Sequence, residues 1–430
     1  MSRGVRLPKG VRKMKFLIEG GKALSGKISV QGSKNSALPI LAATLLIKGK
    51  SVIHNCPKIT DVDAAIDILK DFGCVVTRSD RTVTVDASYV KNCNVSDYLM
   101  RRMRSSILFL GPVLSRLKKA RFSSPGGCEI GLRPIDLHLW ALRLLGAEIN
   151  EKSGIIDCKA EKGLKGNRIH LSFPSVGATE NILLACVCAK GTTVLSNAAR
   201  EPEIIDLAAF LNESGAHIYG AGESTVVIVG TDSLHSASHN VIADRIVGAT
   251  YLFSSAITGG EIEIDNIIPT HLESVFPVLE ETGCKIKRTD TSVFLSSPER
   301  LSRVKSVRTL PFPGFPTDLQ SPLTALLSVA EGTSVVTENI FENRYKYISE
   351  LVRLGANIRV EGSSAIVDGV KKLYGTSVCA TDLRGGFALV IAALKAQGET
   401  VINNIHHIDR GYEAAEKTLS SLGANIKRIT

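Results

Sequence analysis

The chain has 430 residues, of which 44% are hydrophobic and 22% are charged, which is typical of a globular protein with two or three domains. No apolar run reaches the about 18 residues of a membrane-spanning helix, so the sequence predicts no membrane span. The net charge is +10, but residues 1–15 hold six basic residues and no acid, which leaves +4 for the remainder and gives no argument for a nucleic-acid partner.

Residues 1–15 lack the apolar segment of a secretory signal, so we expect a basic, disordered extension there. The nine cysteines are odd in number and form no CxxC pair. This pattern indicates reduced thiols in the cytoplasm and favours neither a disulfide framework nor a zinc site. We expect no metal and no cofactor, because the only histidine cluster is His406-His407 and no dinucleotide-binding fingerprint is present.

The first motif, Gly-Ser-Lys-Asn-Ser at residues 32–36, lies between a predicted strand at 27–30 and a predicted apolar helix at 35–46. Backbone amides at a helix N-terminus, with Lys34 beside them, bind anions well. The Walker pattern GxxxxGK[ST] is absent, so the motif is not a nucleotide-binding P-loop. A phosphate site and a capped helix with a surface lysine both fit these residues.

Three arginines at residues 101, 102 and 104 precede the apolar run 107–110. The ordinary interpretation is a solvated helix face. An arginine that enters a buried helix is costly unless it meets a partner, which favours a functional role for Arg104.

Residues 124–134 place Cys128 between two prolines and among three glycines, with Arg133 five residues further on. Such a stretch cannot continue a helix and has no strand alternation, so it predicts a mobile loop. A nearby positive charge lowers the pKa of a cysteine from about 8.5 and favours the thiolate. A turn with a buried cysteine and a loop with an exposed thiol fit the residues equally well.

A short signature recurs six times, in which a glycine follows a helical pattern and precedes an alternating strand. These glycines, at successive intervals of 68 to 73 residues, are Gly73, Gly146, Gly215, Gly283, Gly355 and Gly423. Glycine supplies the left-handed conformation that ends a helix. We therefore predict six copies of one unit, each with two helices and several strands, grouped three and three into two α/β domains around a ligand cleft.

Two later motifs open further predicted helices. Residues 175–179, Ser-Val-Gly-Ala-Thr, fit either a serine cap or an anion site. Residues 313–318 form a stiff turn that ends in Asp318. Local preference favours an Asp N-cap, and the alternative is a general base that is held rigidly to deprotonate a hydroxyl group.

Arg384 and Arg410 each lie at a predicted helix start, where the helix dipole disfavours arginine unless an anion binds nearby. Arg344 is similar but fits an exposed ion pair as well. The cations of these motifs together predict transfer chemistry on a phosphorylated or doubly anionic small molecule, without a redox cofactor; they are Lys34, Arg104, Arg133, Arg384 and Arg410.

Nine segments read, in chain order, GSKNSALPILAATLL, RRMRSSILFLGP, SPGGCEIGLRPIDLH, PSVGATEN, NAAREPEI, PGFPTDLQ, FENRY, ATDLR and HIDRGYE. They closely resemble the bacterial enolpyruvyl transferases that act on UDP-N-acetylglucosamine, from about residue 16 to the C-terminus. The resemblance implies an α/β fold, the inside-out α/β barrel with six repeated units in two domains. We expect one domain at residues 16–33 and 243–430, and the other, which carries the Cys128 loop, at residues 34–242.

The resemblance also implies the reaction. Enolpyruvyl passes from phosphoenolpyruvate to the 3′-hydroxyl of UDP-N-acetylglucosamine and phosphate is released, which is the first committed step of peptidoglycan synthesis. Cys128 would protonate the methylene carbon and could form a covalent adduct, Asp318 would act as base, and Lys34 and Arg410 complete the expected catalytic set. The implied phosphoenolpyruvate-binding residues are Lys34, Asn35, Arg133, Arg384 and Arg410. The implied UDP-N-acetylglucosamine-binding residues are Arg104, Arg133, Pro134, Ile135, Asp136, Leu137, Ser175, Val176, Gly177, Asp318 and Ile340.

Two features depart from the family pattern: Val247 stands where a glutamate is expected, and residues 1–15 have no counterpart. The nearest alternative is the related enzyme that uses shikimate 3-phosphate, and the segments around Cys128 and Asp318 argue against it. A non-catalytic nucleotide-binding protein is the other alternative. The joint presence of Cys128, Lys34, Asp318 and Arg410 argues against that function.

Overall fold

The computed structural model describes residues 14–124 and 135–430, so Cys128, Arg133 and Pro134 lie outside the described residues. Within that part of the chain the strands are β1 (Lys15–Glu19), β2 (Ser25–Ser29), β3 (Lys50–His54), β4 (Val75–Ser79), β5 (Thr82–Asp86), β6 (Lys119–Ser123), β7 (Glu148–Lys152), β8 (Ile155–Lys159), β9 (Arg168–His170), β10 (Thr192–Ser196), β11 (His217–Tyr219), β12 (Thr225–Val229), β13 (Ser238–Asn240), β14 (Glu261–Asp265), β15 (Lys285–Arg288), β16 (Ser292–Ser296), β17 (Ser306–Arg308), β18 (Thr333–Thr337), β19 (Asn357–Glu361), β20 (Ser364–Asp368), β21 (Ser377–Cys379), β22 (Glu399–Asn403) and β23 (Asn425–Ile429).

The described strands form six sheets, with orders β13-β3-β5-β4, β6-β8-β7, β11-β12-β10-β9, β15-β16-β14-β2, β17-β18-β20-β19 and β21-β22-β1-β23. Each four-stranded sheet has one parallel pair at an edge and antiparallel pairing elsewhere. In the three-stranded sheet, a single parallel bridge from Asn94 to Arg121 takes the place of the fourth strand. The sheets are therefore six versions of one pattern.

The helices of the described residues are α1 (Lys34–Ala43), α2 (Thr60–Asp71), α3 (Asp97–Arg102), α4 (Leu110–Leu117), α5 (Asp136–Leu144), α6 (Val176–Cys186), α7 (Pro202–Glu213), α8 (Arg245–Thr258), α9 (Phe276–Glu281), α10 (Gln320–Leu327), α11 (Ile348–Arg353), α12 (Leu383–Lys395) and α13 (Ala415–Ser421). Short 3₁₀ helices cover Thr44–Leu46, Arg104–Phe109, Pro269–Leu272, Thr317–Leu319 and Ile405–Arg410. None of these helices combines the length and the apolar character that crossing a lipid bilayer requires.

The six glycines of the sequence repeat end six helices, as predicted. Helices α2, α5, α7, α9, α11 and α13 each stop two residues before one of them, and all six glycines have φ between +93° and +98°. That left-handed conformation is strained for residues with a Cβ, so glycine is the natural residue at these helix ends.

A second set of six helices lies inside the sheets and the first set. These inner helices are α1, α4, α6, α8, α10 and α12, and in α8 every residue is buried. A helix that is apolar on all sides is stable only in a core, which explains why these segments read as continuous apolar runs. Inner helices surrounded by sheets and outer helices are the inside-out α/β barrel that we expected.

The buried apolar side chains form two separate clusters. One takes its residues from 37–241, and the other from 16–30 and 243–426. The second cluster is discontinuous because β1 pairs with β22 and β23, and β2 pairs with β14, across most of the chain. We propose that each cluster is the core of one domain, and we call the two parts the first half (34–242) and the second half. Lys15, which we had assigned to the N-terminal extension, opens β1 instead.

Arg116 stabilises the first half through main-chain contacts. Its guanidinium group donates hydrogen bonds of 2.6 Å to the carbonyl oxygens of both Leu45 and Ala87, which joins α4 to the segments that follow α1 and β5. Arg116→Met keeps the aliphatic stem but leaves these carbonyls without their charged donor. We expect the first half to lose about 2 kcal/mol of stability, measured by urea unfolding. Arg121→Met, at an exposed position, is the control, and an equal loss in both variants would contradict this role.

Candidate active site

The chain crosses between the halves twice, and the two crossings lie side by side. Gly32 pairs with Ala243, the Ser33 amide donates to the Ile242 carbonyl at 2.7 Å, and the Asp244 amide donates to the Gln31 carbonyl at 2.9 Å. Gly32 has no room for a side chain, because a Cβ there would lie 1.7 Å from the Asn55 carbonyl oxygen. The residues that begin α1 and α8 are thereby fixed next to one another.

Helix α1 begins directly after the first crossing. The Ser33 hydroxyl accepts from the Ser36 amide at 3.3 Å and caps the helix, and the Asp244 carboxylate accepts from the Lys34 amide at 3.1 Å. Lys34 is only 8% exposed, so it is not the surface lysine of the simpler interpretation. Asn35 follows it and is partly buried.

A buried carboxylate joins Lys34 to the second half. Asp61, in the first turn of α2, lies 2.8 Å from Lys34 Nζ and accepts from Arg410 Nε at 2.9 Å and Nη2 at 3.2 Å. Burial disfavours the charged form of Asp61, but Lys34 and Arg410 outweigh it and hold the pKa of Asp61 below its ordinary value. Burial lowers the pKa of Lys34, Arg410 and Arg384 lower it further, and Asp61 opposes them.

The segment that carries Arg410 is held by Gln31 at the chain crossing, and Glu413 fastens it to the first half. The Gln31 side chain donates to the Gly411 carbonyl at 3.0 Å and accepts from the Glu413 amide at 2.7 Å. The Glu413 carboxylate accepts from the Lys58 amide at 3.0 Å and from the Arg81 guanidinium at 3.2 Å. These contacts of Gly411 and Glu413, which follow Arg410 in the chain, place Arg410 against Asp61.

Asp318 lies between two arginines. Its carboxylate accepts from Arg344 Nη2 at 2.7 Å and from Arg384 Nε and Nη2 at 3.2 and 3.0 Å. It makes no capping hydrogen bond to α10, so the N-cap that local preference favoured is wrong. Burial opposes its charge, but Arg384 and Arg344 more than compensate, and the pKa of Asp318 lies far below its ordinary value.

Both arginines are held rigidly and keep spare donors. Asp382 caps α12 by accepting from the Arg384 amide at 3.0 Å, and the Arg384 guanidinium lies 5.3 Å from the ring centre of Tyr412. Arg344 lies 5.3 Å from the ring centre of Phe341. Within the described residues, Nε and Nη1 of Arg344 and Nη1 of Arg384 are buried without a hydrogen-bond acceptor. Such donors suit an anion that binds beside Asp318.

Glu338 ties the Asp318 turn to the chain around Ile340. Its carboxylate accepts from the hydroxyls of Thr309 at 3.0 Å and Thr317 at 2.8 Å, and from the amides of Ile340 at 2.8 Å and Phe341 at 3.1 Å. A cavity of about 340 Å³ opens at this place and is lined by Glu338, Asn339, Ile340, Phe341, Glu342, Tyr345, Gly362 and Ser363. Two residues expected at the UDP-sugar, Asp318 and Ile340, are therefore held in one rigid unit.

The expected UDP-sugar residues of the first half lie at two adjacent helix starts. Ile135, Asp136 and Leu137 begin α5, whereas Ser175 caps α6 and Val176 and Gly177 form its first turn. Asn181 of α6 joins these helices, because its Nδ2 lies 3.0 Å from His138 Nδ1 of α5. Its Oδ1 accepts from the Gly111 amide of α4 at 2.8 Å. Arg104 begins the 3₁₀ helix that leads into α4.

The structure thus gathers Lys34, Arg384, Arg410 and Asp318 at the seam between the halves, while Cys128, Arg133 and Pro134 lie outside the described residues. Sequence reasoning missed Asp61, Gln31, Glu338 and Glu413, and it left the role of Arg344 open. Asp61 lies in the first turn of an ordinary helix and Glu413 lies in a turn, and their partners are 349 and 332 residues away in the chain.

Comparisons with known proteins agree on one family. Residues 18–419 match the family described as EPSP synthase (3-phosphoshikimate 1-carboxyvinyltransferase). The chain is 54% identical to UDP-N-acetylglucosamine 1-carboxyvinyltransferase 2 of Caldanaerobacter subterraneus, over 96% of this chain and 99% of that protein. It is 50% identical to UDP-N-acetylglucosamine 1-carboxyvinyltransferase 1 of Symbiobacterium thermophilum, over 96% and 95% of the two chains.

Solved structures agree in fold. The enolpyruvyl transferase NikO from Streptomyces tendae superposes with a TM-score of 0.87 at 28% identity, over 97% of this chain and 99% of that chain. EPSP synthase from Acinetobacter baumannii superposes with a TM-score of 0.74 at 18% identity, over 97% and 100%, and shares the fold.

The position of Asp318 between two arginines predicts a pH-dependent contribution to stability. Asp318→Asn removes the charge that both arginines share, so we expect a loss of about 3 kcal/mol at pH 7, measured by urea unfolding. The pKa of this carboxyl is lower in the folded protein than in the unfolded chain, where it is about 3.9. The difference between wild type and variant should therefore be full above about pH 5 and shrink as the pH falls below about 4.

The control for this prediction is Asp290→Asn, which changes an exposed carboxylate. Its stability should follow that of the wild type at every pH. A difference for Asp318→Asn that stays constant down to pH 3 would contradict the assignment.

Proposed function

The chain belongs to the EPSP synthase family of carboxyvinyltransferases, and from this we propose that it transfers enolpyruvyl from phosphoenolpyruvate to the 3′-hydroxyl of UDP-N-acetylglucosamine. Phosphate is released, and the reaction is the first committed step of peptidoglycan synthesis. The observation that carries the choice of acceptor is the identity of half or more of the residues to relatives of that name over nearly their whole length. The substrates are small molecules, and we propose no nucleic-acid partner.

The reaction needs an acid and a base on either side of one double bond. The bond from the sugar O3′ to C2 of phosphoenolpyruvate forms as the hydroxyl loses its proton and C3 gains one. The bond from C2 to the phosphate oxygen then breaks as C3 loses a proton, which restores the double bond. Cations must neutralise the carboxylate and the phosphate throughout. We assign the acid to Cys128 and the base to Asp318, as the family resemblance implies.

Lys34, Arg410 and Arg384, with Asn35 and Arg133, are the groups that we propose for the anions of phosphoenolpyruvate. Arg344 joins this set on geometric grounds, because it shares Asp318 with Arg384 and has buried donors to spare. Arginines bind planar carboxylates well through paired N–H groups.

The ion pairs of Asp318 also bear on when it can act as a base. While two arginines hold its carboxylate, its pKa is far too low for efficient proton abstraction. A substrate anion that engages the spare donors of the same arginines would share their charge and raise the basicity of Asp318. The base would therefore become effective only when phosphoenolpyruvate is bound.

The cytoplasm is the location that we propose. Of the nine cysteines, the eight that the structure describes are free thiols, which are typical of a reducing compartment.

An acceptor assay tests the proposed reaction against the shikimate alternative. We expect phosphate release from phosphoenolpyruvate with UDP-N-acetylglucosamine, and release at least about 10³-fold slower with shikimate 3-phosphate, because the acceptors share no recognition groups beyond a hydroxyl and an anion. Release with shikimate 3-phosphate alone would refute the proposal. Binding of UDP-N-acetylglucosamine without release of phosphate would favour a non-catalytic nucleotide-binding protein.

Substitution of Cys128 tests the proposed acid. Cys128→Ser should lower kcat by about 10²- to 10⁴-fold, because a positioned proton donor contributes that much, and calorimetry should show unchanged UDP-N-acetylglucosamine binding.

The epoxide fosfomycin should alkylate Cys128, detected by peptide mass spectrometry. Cys379 is an exposed thiol at the end of β21 and serves as the control. The Cys379→Ser variant should stay active. In the wild type, fosfomycin should leave the Cys379 thiol unmodified. Full activity of Cys128→Ser would remove Cys128 from the acid role.

A further inference from the structure

Asp61 occupies a position that neither the motifs nor the expected site residues account for. It is 2% exposed, it lies in the first turn of α2, and its carboxylate contacts one cation from each half of the protein. Lys34 comes from α1 of the first half, and Arg410 comes from the 3₁₀ helix Ile405–Arg410 of the second half. Both are among the cations that the proposed function gives to phosphoenolpyruvate.

Two cations from separate halves repel each other unless an anion lies between them. Water screens this repulsion only weakly in a buried site, so it is stronger there than in solution. Asp61 supplies the anion from the protein itself, with both carboxylate oxygens in use: Oδ1 receives Arg410 Nε, and Oδ2 receives Lys34 Nζ and Arg410 Nη2. One carboxylate against two cations leaves the group with a formal charge of +1, so it still attracts a substrate anion.

We propose that Asp61 is a positioning residue of the phosphoenolpyruvate site, which joins Lys34 to Arg410 across the seam and keeps Lys34 charged. This inference rests on the proposed function for the identity of the anion. It does not need Asp61 to touch the substrate, since Asp61 acts through the two cations that do.

The groups around Lys34 show how strongly its charged form depends on Asp61. Arg410 and Arg384 both disfavour its charge, and burial does so more strongly. The other carboxylate near Lys34, Asp244, contacts its backbone amide, and burial raises the pKa of Asp244. Asp61 is therefore the main group that opposes a further fall in the pKa of Lys34, and a neutral amine binds phosphate poorly.

The chain offers a matched control on the same helix. Asp63 lies two residues after Asp61 and pairs with Arg78 at 2.8 Å, but its side chain is 55% exposed. Both acids occupy the first turn of α2, so both interact with the helix dipole. Asp63→Asn removes an ion pair and an N-terminal charge without touching the seam.

The experiment measures kcat/KM for phosphoenolpyruvate from pH 6 to 9.5, and KM for both substrates, in the wild type and in Asp61→Asn, Asp61→Glu and Asp63→Asn. In Asp61→Asn we expect the loss of activity at alkaline pH to begin at least about one pH unit lower, and KM for phosphoenolpyruvate to rise about tenfold or more above that pH. KM for UDP-N-acetylglucosamine should change less than about twofold. Asp61→Glu keeps the charge, so its kcat/KM should fall at the same alkaline pH as that of the wild type. Its KM for phosphoenolpyruvate should still rise.

Several outcomes would overturn the inference. An Asp61→Asn enzyme with the pH profile and the phosphoenolpyruvate KM of the wild type would do so, as would equal losses for both substrates at every pH, which indicate a merely structural ion pair. If Asp61→Asn does not fold, as judged by circular dichroism, Asp61→Glu decides, and an unchanged KM for phosphoenolpyruvate refutes the positioning role.

Calorimetric binding of phosphoenolpyruvate in the presence of UDP-N-acetylglucosamine separates this inference from the proposed function. A wild type that binds phosphoenolpyruvate but releases no phosphate would defeat the proposed function. The inference would still be supported if Asp61→Asn bound phosphoenolpyruvate more weakly than the wild type does. A wild type that turns over, with Asp61→Asn and Asp63→Asn binding equally, would defeat the inference alone.

Discussion

The pairing of the two chain crossings between the halves is the constraint on which the site depends. Gly32 pairs with Ala243, and the carbonyl of Asn55 leaves no room for a side chain at Gly32. Lys34 follows one crossing and Asp244 follows the other, and a hydrogen bond joins them. Because Gln31 also binds the backbone on both sides of Tyr412, the segment that carries Arg410 is fixed to the same point. A shift at the crossings would move cations of both halves at once.

The same electrostatic arrangement occurs twice in the site: a carboxylate lies between two cations. Asp61 joins Lys34 to Arg410, and Asp318 joins Arg344 to Arg384. Each group has a surplus of positive charge, and the folded protein already removes most of these cations from water. A dianionic substrate therefore meets donors whose desolvation and orientation are largely complete, which favours tight binding and stabilises developing charge. Asp61 also reduces the repulsion between the cations of the two halves when no substrate is bound, and Asp318 does the same for the two arginines within the second half.

The sequence predicted the repeating parts of the fold better than the contacts of the site. The six glycines and the apolar helix runs obey local rules, so the helix ends and the six repeated units could be read from them, whereas the barrel was implied by the family resemblance. Lys34, Arg384 and Arg410 also stood out as cations near predicted helix starts. The structure confirms this position for Lys34 and Arg384, whereas for Arg410 it was wrong, because Arg410 ends the 3₁₀ helix Ile405–Arg410. Asp61 obeys every local preference, as does Asp63 beside it, and only the tertiary contact with a residue 349 positions away distinguishes them. Asp318 misled local reasoning for the converse reason, since a carboxylate at a helix start suits a cap until two arginines capture it.

The repeat explains how motifs so far apart in the chain come to one place. Several of the expected substrate residues precede or begin inner helices: Lys34 at α1, Arg104 ahead of α4, Ser175 at α6, Asp318 ahead of α10 and Arg384 at α12. In the repeated unit an inner helix starts at the same edge of each copy, so a family of similar units presents similar helix N-termini, and these carry partial positive charge. Arginine and lysine at such ends add to that charge and would destabilise the helices on their own. Capping carboxylates such as Asp382 and Asp244 offset the cost at α12 and α8. The fold therefore concentrates positive potential at the seam, and nearby acids compensate the conflict with helix stability at Lys34 and at Arg384.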